Sequence, residues 1–451
     1  MEFHPEDIAT RVSTLLVSGA TDAVLRELEG VPAPDVALIA RHLNEREIAE
    51  LLKLLPEEDS ADILAELGSE IRTDVLDELT PQEIAGVVEE MSSDDAADVV
   101  AELEDEKAEE VVDLLEEEDR LDISHLLTYP EDTAGGIMQL EVVSVREDRT
   151  VARAIEKIRM AAGDIDDDLH SVYVVDMNGK LVGTLPLPRL VLAKPDELVR
   201  SIMVEDSFSV PAEMDQEEVA QIFQKYDLLA IPVVDQMGRL LGRITVDDIV
   251  DVIHEEAEQD YARVAGTDEE EFREEAIYRK AGIRLPWLIT GLLGGLLSAF
   301  VLSRFEANLE AVITLAFFVP VITAMGGNAA IQSSAVMVRG LATGEVTRRD
   351  ATKRLTREMG VALITGVVCS TLIFTAASLW SGDLRLGAVV SGSMLSVIII
   401  ATTVGAFVPL VLDRLGVDPA LATGPFVTTS NDIIGIAIYL SLAAWALNRI
   451  P

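Results

Sequence analysis

TTSNDIIGIAIYL, residues 428–440, sets one aspartate, Asp432, inside a run that otherwise suits lipid. A charged side chain at mid-span costs at least about 2.5–3.5 kcal/mol, even on the lenient scales. The apolar runs of this chain contain no Lys or Arg to neutralise it. Such a carboxyl either serves a cation or proton path or stays protonated against a neighbour, and the first reading accounts better for its retention.

Working outward, five runs reach the roughly 20 apolar residues that a membrane crossing needs. They are residues 285–303, 311–338, 359–382, 386–412 and 419–448. The loop RGLATGEVTRRDATKRLTRE (339–358) is rich in bases, and Arg273, Arg279, Lys280 and Arg284 precede the first run. The opposite loops hold only Arg304 and Arg385, and the tail only Arg449. Basic segments stay inside, which predicts a cytoplasmic N-terminus and an outward C-terminus in the inner (plasma) membrane. MEFHPEDIATRVST has neither a basic start nor an apolar core, so no signal peptide is read there. Trp287, Trp380 and Trp445 fall near span ends, where indole rings favour the interface. Pro320 with MGGNAAIQSS, and ATGPFVTTSND in the fifth run, should free backbone carbonyls against protein or water. Asn328, Gln332, Ser333, Ser334, Thr428, Thr429, Ser430 and Asn431 add neutral oxygens, the ligands hard cations prefer. For the Ser and Thr residues, plain helix–helix bridging is an equal account.

Charge divides the chain. The formal net charge is -45, and almost all of the acid lies before residue 281. A body this acidic excludes a nucleic-acid partner, which demands a basic face. It favours metal cations or simple solubility. Cys369 is the single cysteine, so internal disulfides and thiolate zinc sites are excluded. The five His residues show no ligand spacing, and neither a nucleophile elbow nor a Walker loop is present; no enzyme is read.

Leu55, Leu67, Leu79, Met91, Leu103 and Leu115 recur every 12 residues, with aliphatic pairs such as Ile63-Leu64 and Val99-Val100 just before them. Each unit fits a short helix and a turn, and such units must stack to bury their apolar faces. Thr80-Pro81-Gln82-Glu83 reads as a capping box with proline at the first helical position, and Ser92 to Asp95 as the next cap. Downstream, VYVVDMNGKLVGTL (172–185) repeats as IPVVDQMGRLLGRI (231–244), each a strand, turn and strand behind a helix. Ile137-Met138 and Ile202-Met203 are read as opening the two units. This repeat resembles tandem cystathionine-β-synthase-type (CBS) domains, which implies ATP or another adenine nucleotide as a ligand. TVDD places Thr245 and Asp248 at that module's ribose-contacting pattern, whereas LPLPR (185–189) in the first unit lacks the aspartate. Residues 247–280 then read as one acidic amphipathic helix with Ile249, Val250, Ile253, Ala257 and Tyr261 as its apolar stripe.

YPEDTAGGIM (129–138), YDLLAIPVVD (226–235), TVDDIVDV (245–252), FFVPVITAMGGNAAIQS (317–333), LGVDPA (415–420) and SNDIIG (430–435) resemble the MgtE family of magnesium channels over nearly the whole chain. The fold expected is that of a multidomain membrane protein. An all-α superhelical N domain spans 1–130, with α/β tandem CBS domains at 131–198 and 199–256. A connecting plug helix covers 257–281 and a five-helix all-α transmembrane domain 282–451. The resemblance implies a homodimer with its pore on the two-fold axis, lined by spans two and five. Asp432 would select the ion there, with Asn328 nearby. Mg²⁺ dehydrates reluctantly and suits paired carboxylates acting through water; Co²⁺, Ni²⁺ and Mn²⁺ are further candidate ions. It also implies closure when Mg²⁺ bridges acids on different domains. The matching positions are Asp62, Asp94, Asp98, Glu217, Asp227, Asp248, Asp251, Glu256, Asp260 and Asp418, with the carbonyl of Gln224. Asp62 stands where glutamate is common and Gln259 where an acid is expected, which weakens the sensor. The alternative reading is an H⁺- or Na⁺-coupled divalent cation carrier, and a third is a nucleotide-sensing receptor without transport.

Overall fold

The computed structural model describes residues 4–161, 171–205, 208–265, 277–342, 346, 351–417, 419 and 425–449. The chain forms two compact units, residues 1–253 and 254–451.

The first unit opens with ten short helices: α1 (Pro5–Val17), α2 (Thr21–Leu28), α3 (Ala33–Ala40), α4 (Glu45–Leu52), α5 (Glu57–Ala65), α6 (Ser69–Asp77), α7 (Pro81–Val88), α8 (Ser93–Ala101), α9 (Asp105–Leu114) and α10 (Glu117–Leu126). From α2 onward their starts follow a 12-residue step, which the marked leucines show from residue 55. The aliphatic pairs explain the stacking: Ile63, Leu64, Val75, Leu76, Val87, Val88, Val99 and Val100 all enter one core. The Thr80 box forms as expected, with Glu83 N donating to Thr80 Oγ1 at 3.3 Å and Thr80 N donating to Glu83 Oε2 at 2.8 Å. Ser92 occupies the cap of α8, but its hydroxyl donates to Asp95 Oδ2 at 2.8 Å instead of capping the backbone. Arg72 donates twice to Glu102, at 2.9 and 2.7 Å, tying α6 to the end of α8.

Two three-stranded sheets follow. In the first, β1 (Ser144–Arg146) pairs parallel with β2 (Ser171–Val175), which pairs antiparallel with β3 (Leu181–Pro186). The second repeats this with β4 (Val210–Pro211), β5 (Ala230–Val234) and β6 (Leu240–Thr245). The intervening helices are α11 (Val151–Met160), α12 (Leu187–Leu192), α13 (Val199–Ile202) and α14 (Gln216–Tyr226). Both hairpins turn on an aspartate. Asp176 accepts from the amides of Asn178 and Lys180, and Asp235 from those of Met237 and Arg239. These amide bonds hold both carboxyls below the usual range.

The lead segments depart from the sequence reading. Met138 enters the core of the second sheet, not the first, beside Ile231, Val233 and Ile244. Met203 packs on the first sheet's core with Val172 and Leu185. Each lead crosses a glycine. A Cβ on Gly242 would lie 2.5 Å from Gln139 O, and one on Gly183 2.5 Å from Val204 O. Gln139 and Arg243 exchange backbone hydrogen bonds at 2.7 and 2.9 Å across that crossing. The leads therefore swap sheets, and in each case a glycine on the partner sheet leaves room for the crossing backbone.

α15 (Val246–Ala265) leaves the second sheet. Its buried stripe carries Ile249 and Val252, whereas Val250 is exposed. The expected stripe was thus turned by part of a helical step, since Ile249 and Val252 are the pair that reaches the second sheet's core. The expected single helix to the membrane passes through residues 266–276, which lie outside the described residues.

The second unit holds five helices long and apolar enough to cross a membrane. The first span is Ile277–Ser303, the second Thr314–Ala342, the third Ala351–Ser381, the fourth Leu384–Leu415 and the fifth Pro425–Arg449. The second span stays one continuous helix through Pro320. Its Thr323 hydroxyl bonds back to Val319 O at 3.1 Å, so carbonyls near the proline are engaged within the protein. Small residues set the helix contacts. A Cβ on Gly405 would lie 2.3 Å from Ala330 O, and one on Gly294 would collide with Thr429. Tyr439, fully buried, donates its hydroxyl to Leu315 O at 2.9 Å and joins the fifth span to the second.

The crossing at Gly242 makes a direct prediction. Gly242→Ala should destabilise the first unit by about 1–3 kcal/mol through overpacking, whereas Gly68→Ala, with open space around it, should be near neutral. Thermal melts of the two variants check this, and equal melting temperatures would contradict the close crossing.

Candidate functional site

The membrane unit gathers polar groups where the fifth span meets the second. Asn431 is buried, and its Nδ2 donates to Thr323 O at 3.4 Å. Gly326 makes room for it: a Cβ there would stand 2.8 Å from the Asn431 amide and from Val397 of the fourth span. This locks the helix turn that carries Asp432. Asp432 itself is half-buried, and among the described residues neither a hydrogen bond nor an ion pair satisfies it. Asn328 sits on the exposed face of the second span with Gln332, one turn beyond the Asn431 contact. The structure therefore brings spans two and five together, but Asn431, not Asn328, makes the joining contact.

The soluble unit gathers a second set of acids where α8 meets the start of α15. Ser93 Oγ accepts from Leu140 N at 2.8 Å and donates to Glu141 at 2.9 Å. Ala97, from the same helix, enters the core of the second sheet. This docking buries Asp94 to 7% exposure, and its Oδ1 has no hydrogen-bond partner among the described residues. Burial, then the nearby Asp248, push the Asp94 carboxyl well above the usual range. Asp98 keeps an exposed edge, yet the surrounding protein pushes it up to about 7 against the pull of Arg72. Asp95 is raised by burial, and so is Glu66, with Asp251, Asp95 and Asp62 adding repulsion. Asp248 is pushed up to about 6 by burial, although Thr245 opposes the shift. Thr245 donates both its amide, at 3.2 Å, and its hydroxyl, at 2.5 Å, to Asp248 Oδ2, and Gln139 Nε2 approaches the same oxygen at 3.4 Å. Asp94 and Asp248 thus act on each other directly, Asp95 links Asp98 to them, and Asp62 and Asp251 reach the group through Glu66. Among the described residues no three His, Cys, Asp or Glu side chains converge as a direct-contact metal cage.

A family model for the MgtE-type divalent cation transporter matches residues 319–442. One for the MgtE intracellular N domain matches 31–132, and the CBS domain model matches 134–194 and 199–255. The magnesium transporter MgtE of Bacillus subtilis (strain 168) is 40% identical over 318 residues, 70% of each chain. The chain belongs to the MgtE family. The magnesium transporter MgtE of Thermus thermophilus is likewise 40% identical, over 73% of this chain and 74% of that one. Two solved structures cover the first unit. The crystal structure of the soluble part of a magnesium transporter has a TM-score of 0.51 and 32% identity, over 56% of this chain and 100% of that one. The cytosolic domain of the Mg²⁺ channel MgtE in complex with ATP has a TM-score of 0.51 and 36% identity, over 54% and 99%.

Within the MgtE frame, other expected residues fall elsewhere. Glu217 and Gln224 lie at helical spacing on α14, and Asp227 is its C-cap. Asp227 closes that helix in a left-handed conformation, φ 51°, the one such non-glycine among the described residues. Glu256 lies on α15 beyond Asp251. The Asp260 side chain and Asp418 lie outside the described residues. Three contributors escaped the sequence reading. Asp95 and Glu66 resemble every other acid of the repeat. Arg72 did carry a signal, as the single base between Lys53 and Lys107. Glu358 of the third span accepts from Ser333 at 2.7 Å, an acid that the expected span boundary had left outside the membrane helix.

The raised carboxyls fix a sign. The docked state binds more protons than the undocked one between the ordinary carboxylate range and about 7, so acid favours docking and rising pH weakens it. Without divalent cations, amide exchange in α8 should accelerate as pH rises through about 6 and 7, the values of Asp248 and Asp98, beyond the intrinsic chemical trend. Mg²⁺ at pH 8 should restore protection; exchange that follows the intrinsic trend alone would refute the coupling.

Proposed function

We infer that this chain carries Mg²⁺ across the inner membrane as a homodimeric channel, with its N-terminal unit in the cytoplasm. The observation that carries this reading is Asp432: a half-buried carboxyl of the fifth span that no cation of the protein satisfies among the described residues. Its family membership and the names of its relatives support Mg²⁺ as the ion. Two Asp432 side chains facing each other across a two-fold axis, with Asn328 lining the approach, would hold a hydrated ion as their shared counter-charge. Dehydrating Mg²⁺ is costly, so water-mediated binding is the selective mode.

Regulation follows from the same electrostatics. Asp94, Asp98, Asp248 and Asp251 repel one another, and Asp62 adds to the repulsion. An Mg²⁺ ion among them favours the docked form by its differential affinity for that form. Glu217, Gln224, Asp227, Glu256, Asp260 and Asp418 are the remaining candidates for holding regulatory Mg²⁺. Thr245 and Asp248 are the candidate nucleotide contacts. With Asp248 Oδ2 already engaged by Thr245, a ribose or an ion would have to use Oδ1.

Asp432→Ala should lower Mg²⁺ flux into proteoliposomes by more than about a hundredfold, a loss of roughly 3 kcal/mol of ion stabilisation, while Asp432→Glu retains part. Wild-type-like flux in the alanine variant would overturn the pore assignment, and flux that requires a pH or Na⁺ gradient would establish a coupled carrier instead. The combined Asp94→Asn, Asp98→Asn, Asp248→Asn and Asp251→Asn variant should keep conducting at cytoplasmic Mg²⁺ levels that close the wild type. Patch recordings across a Mg²⁺ series read this directly, and unchanged closure would remove the clamp.

A further inference from the structure

A cavity of about 460 Å³ opens between the ends of the second and third spans. Arg339, Lys353, Arg354 and Arg357 line it. Its wall depends on Gly340: Val346 N donates to Gly340 O at 2.7 Å, and a Cβ on Gly340 would meet Val346 at 2.6 Å. Val346 in turn packs on Met337 and Ala406, so the wall is built into the core of the unit. Arg354 faces Glu358 at 3.8 Å, beyond hydrogen-bond range, and its buried Nε has no hydrogen-bond partner among the described residues. Glu358 is already held by Ser333. The cavity thus concentrates positive charge around a buried Arg354 Nε that is open to an acceptor.

The surface beside it is apolar. From Lys353 and Arg357 the same helical stripe continues through Val361, Ile364 and Val368, which are 54%, 69% and 55% exposed. Val336, at the cavity itself, is 41% exposed. Arg357 to Val368 covers about 16 Å of helix, half of the roughly 30 Å hydrocarbon core. A soluble anion has no use for such a track, whereas an acyl chain does.

We propose that this cavity seats the phosphate headgroup of an anionic phospholipid, whose chains run along the Val361–Ile364–Val368 stripe of the third span. The proposal rests on the membrane reading above. Each base near the surface of an anionic bilayer strengthens such binding by about fivefold, so Lys353→Gln with Arg357→Gln should weaken it by roughly thirtyfold.

The test uses the full chain in nanodiscs of phosphatidylcholine with a minority of phosphatidylglycerol. Mass spectrometry of lipid retained after detergent washing should show phosphatidylglycerol enriched on the wild type and on a Lys353→Arg, Arg357→Lys control. It should be lost from the double glutamine variant. Melting temperature should rise with phosphatidylglycerol and not with inorganic phosphate. No enrichment on the wild type overturns the proposal, and this readout does not depend on whether the glutamine variant folds. Equal retention in the variant overturns it too, as it would if an acidic segment of the chain filled the cavity. Equal stabilisation by inorganic phosphate overturns the lipid source. Wild-type protein that retains the lipid but carries no Mg²⁺ would sink the transport reading and leave this one standing.

Discussion

Carboxylates held where water cannot solvate them are the constraint on which both units turn. Transfer of an ionised carboxyl into low-polarity surroundings is so costly that the group must gain a proton or a counter-charge. The soluble unit meets this cost in full at the buried Asp94 and in part at the half-buried Asp248, as the membrane unit does at Asp432. Arg72 is drawn into the acidic cluster, but Glu102 already claims it through two hydrogen bonds. The protein therefore leaves the counter-charge to be supplied from solution, and a divalent ion supplies two charges at the cost of ordering one particle. On the proposed function, the same ion would be both cargo and signal.

Backbone proximity turns that charge problem into fixed geometry. Gly326 lets the Asn431 amide reach Thr323, and Gly294 and Gly405 let neighbouring spans close on Thr429 and Ala330. In lipid no hydrophobic force draws helices together, so close packing and interhelical hydrogen bonds must do so. The turn bearing Asp432 is thus oriented by residues that carry no charge. A methyl group at Gly326 would displace Asn431 before it touched any ion.

Much of this architecture was legible because it is periodic. The 12-residue step gave the stacked helices, the offset repeat gave the paired sheets, and apolar runs gave the spans to within a few residues at most ends. Loop charge failed to mark the start of the third span, since Lys353, Arg354 and Arg357 continue its helix beyond the apolar run. Asp432 stood out because it is alone in its surroundings. Asp94 did not, because the repeat is acidic throughout and burial depends on which helix docks on the second sheet. The exchange of the lead segments was also hidden. Ile137-Met138 precedes the first sheet in sequence, and both sheets offer a glycine for the crossing, so the sequence alone does not show which one the lead joins.

That exchange governs how the chain can be made. The strand partner of Arg243 is Gln139, about a hundred residues earlier. As the ribosome releases the chain, the first sheet cannot finish until residue 204 emerges, and the second waits with its earliest piece already synthesised. Closing such distant contacts is slow and entropically expensive. The two sheets are therefore interlaced like clasped hands: a piece cut out with either sheet alone would leave behind the lead segment that completes its core.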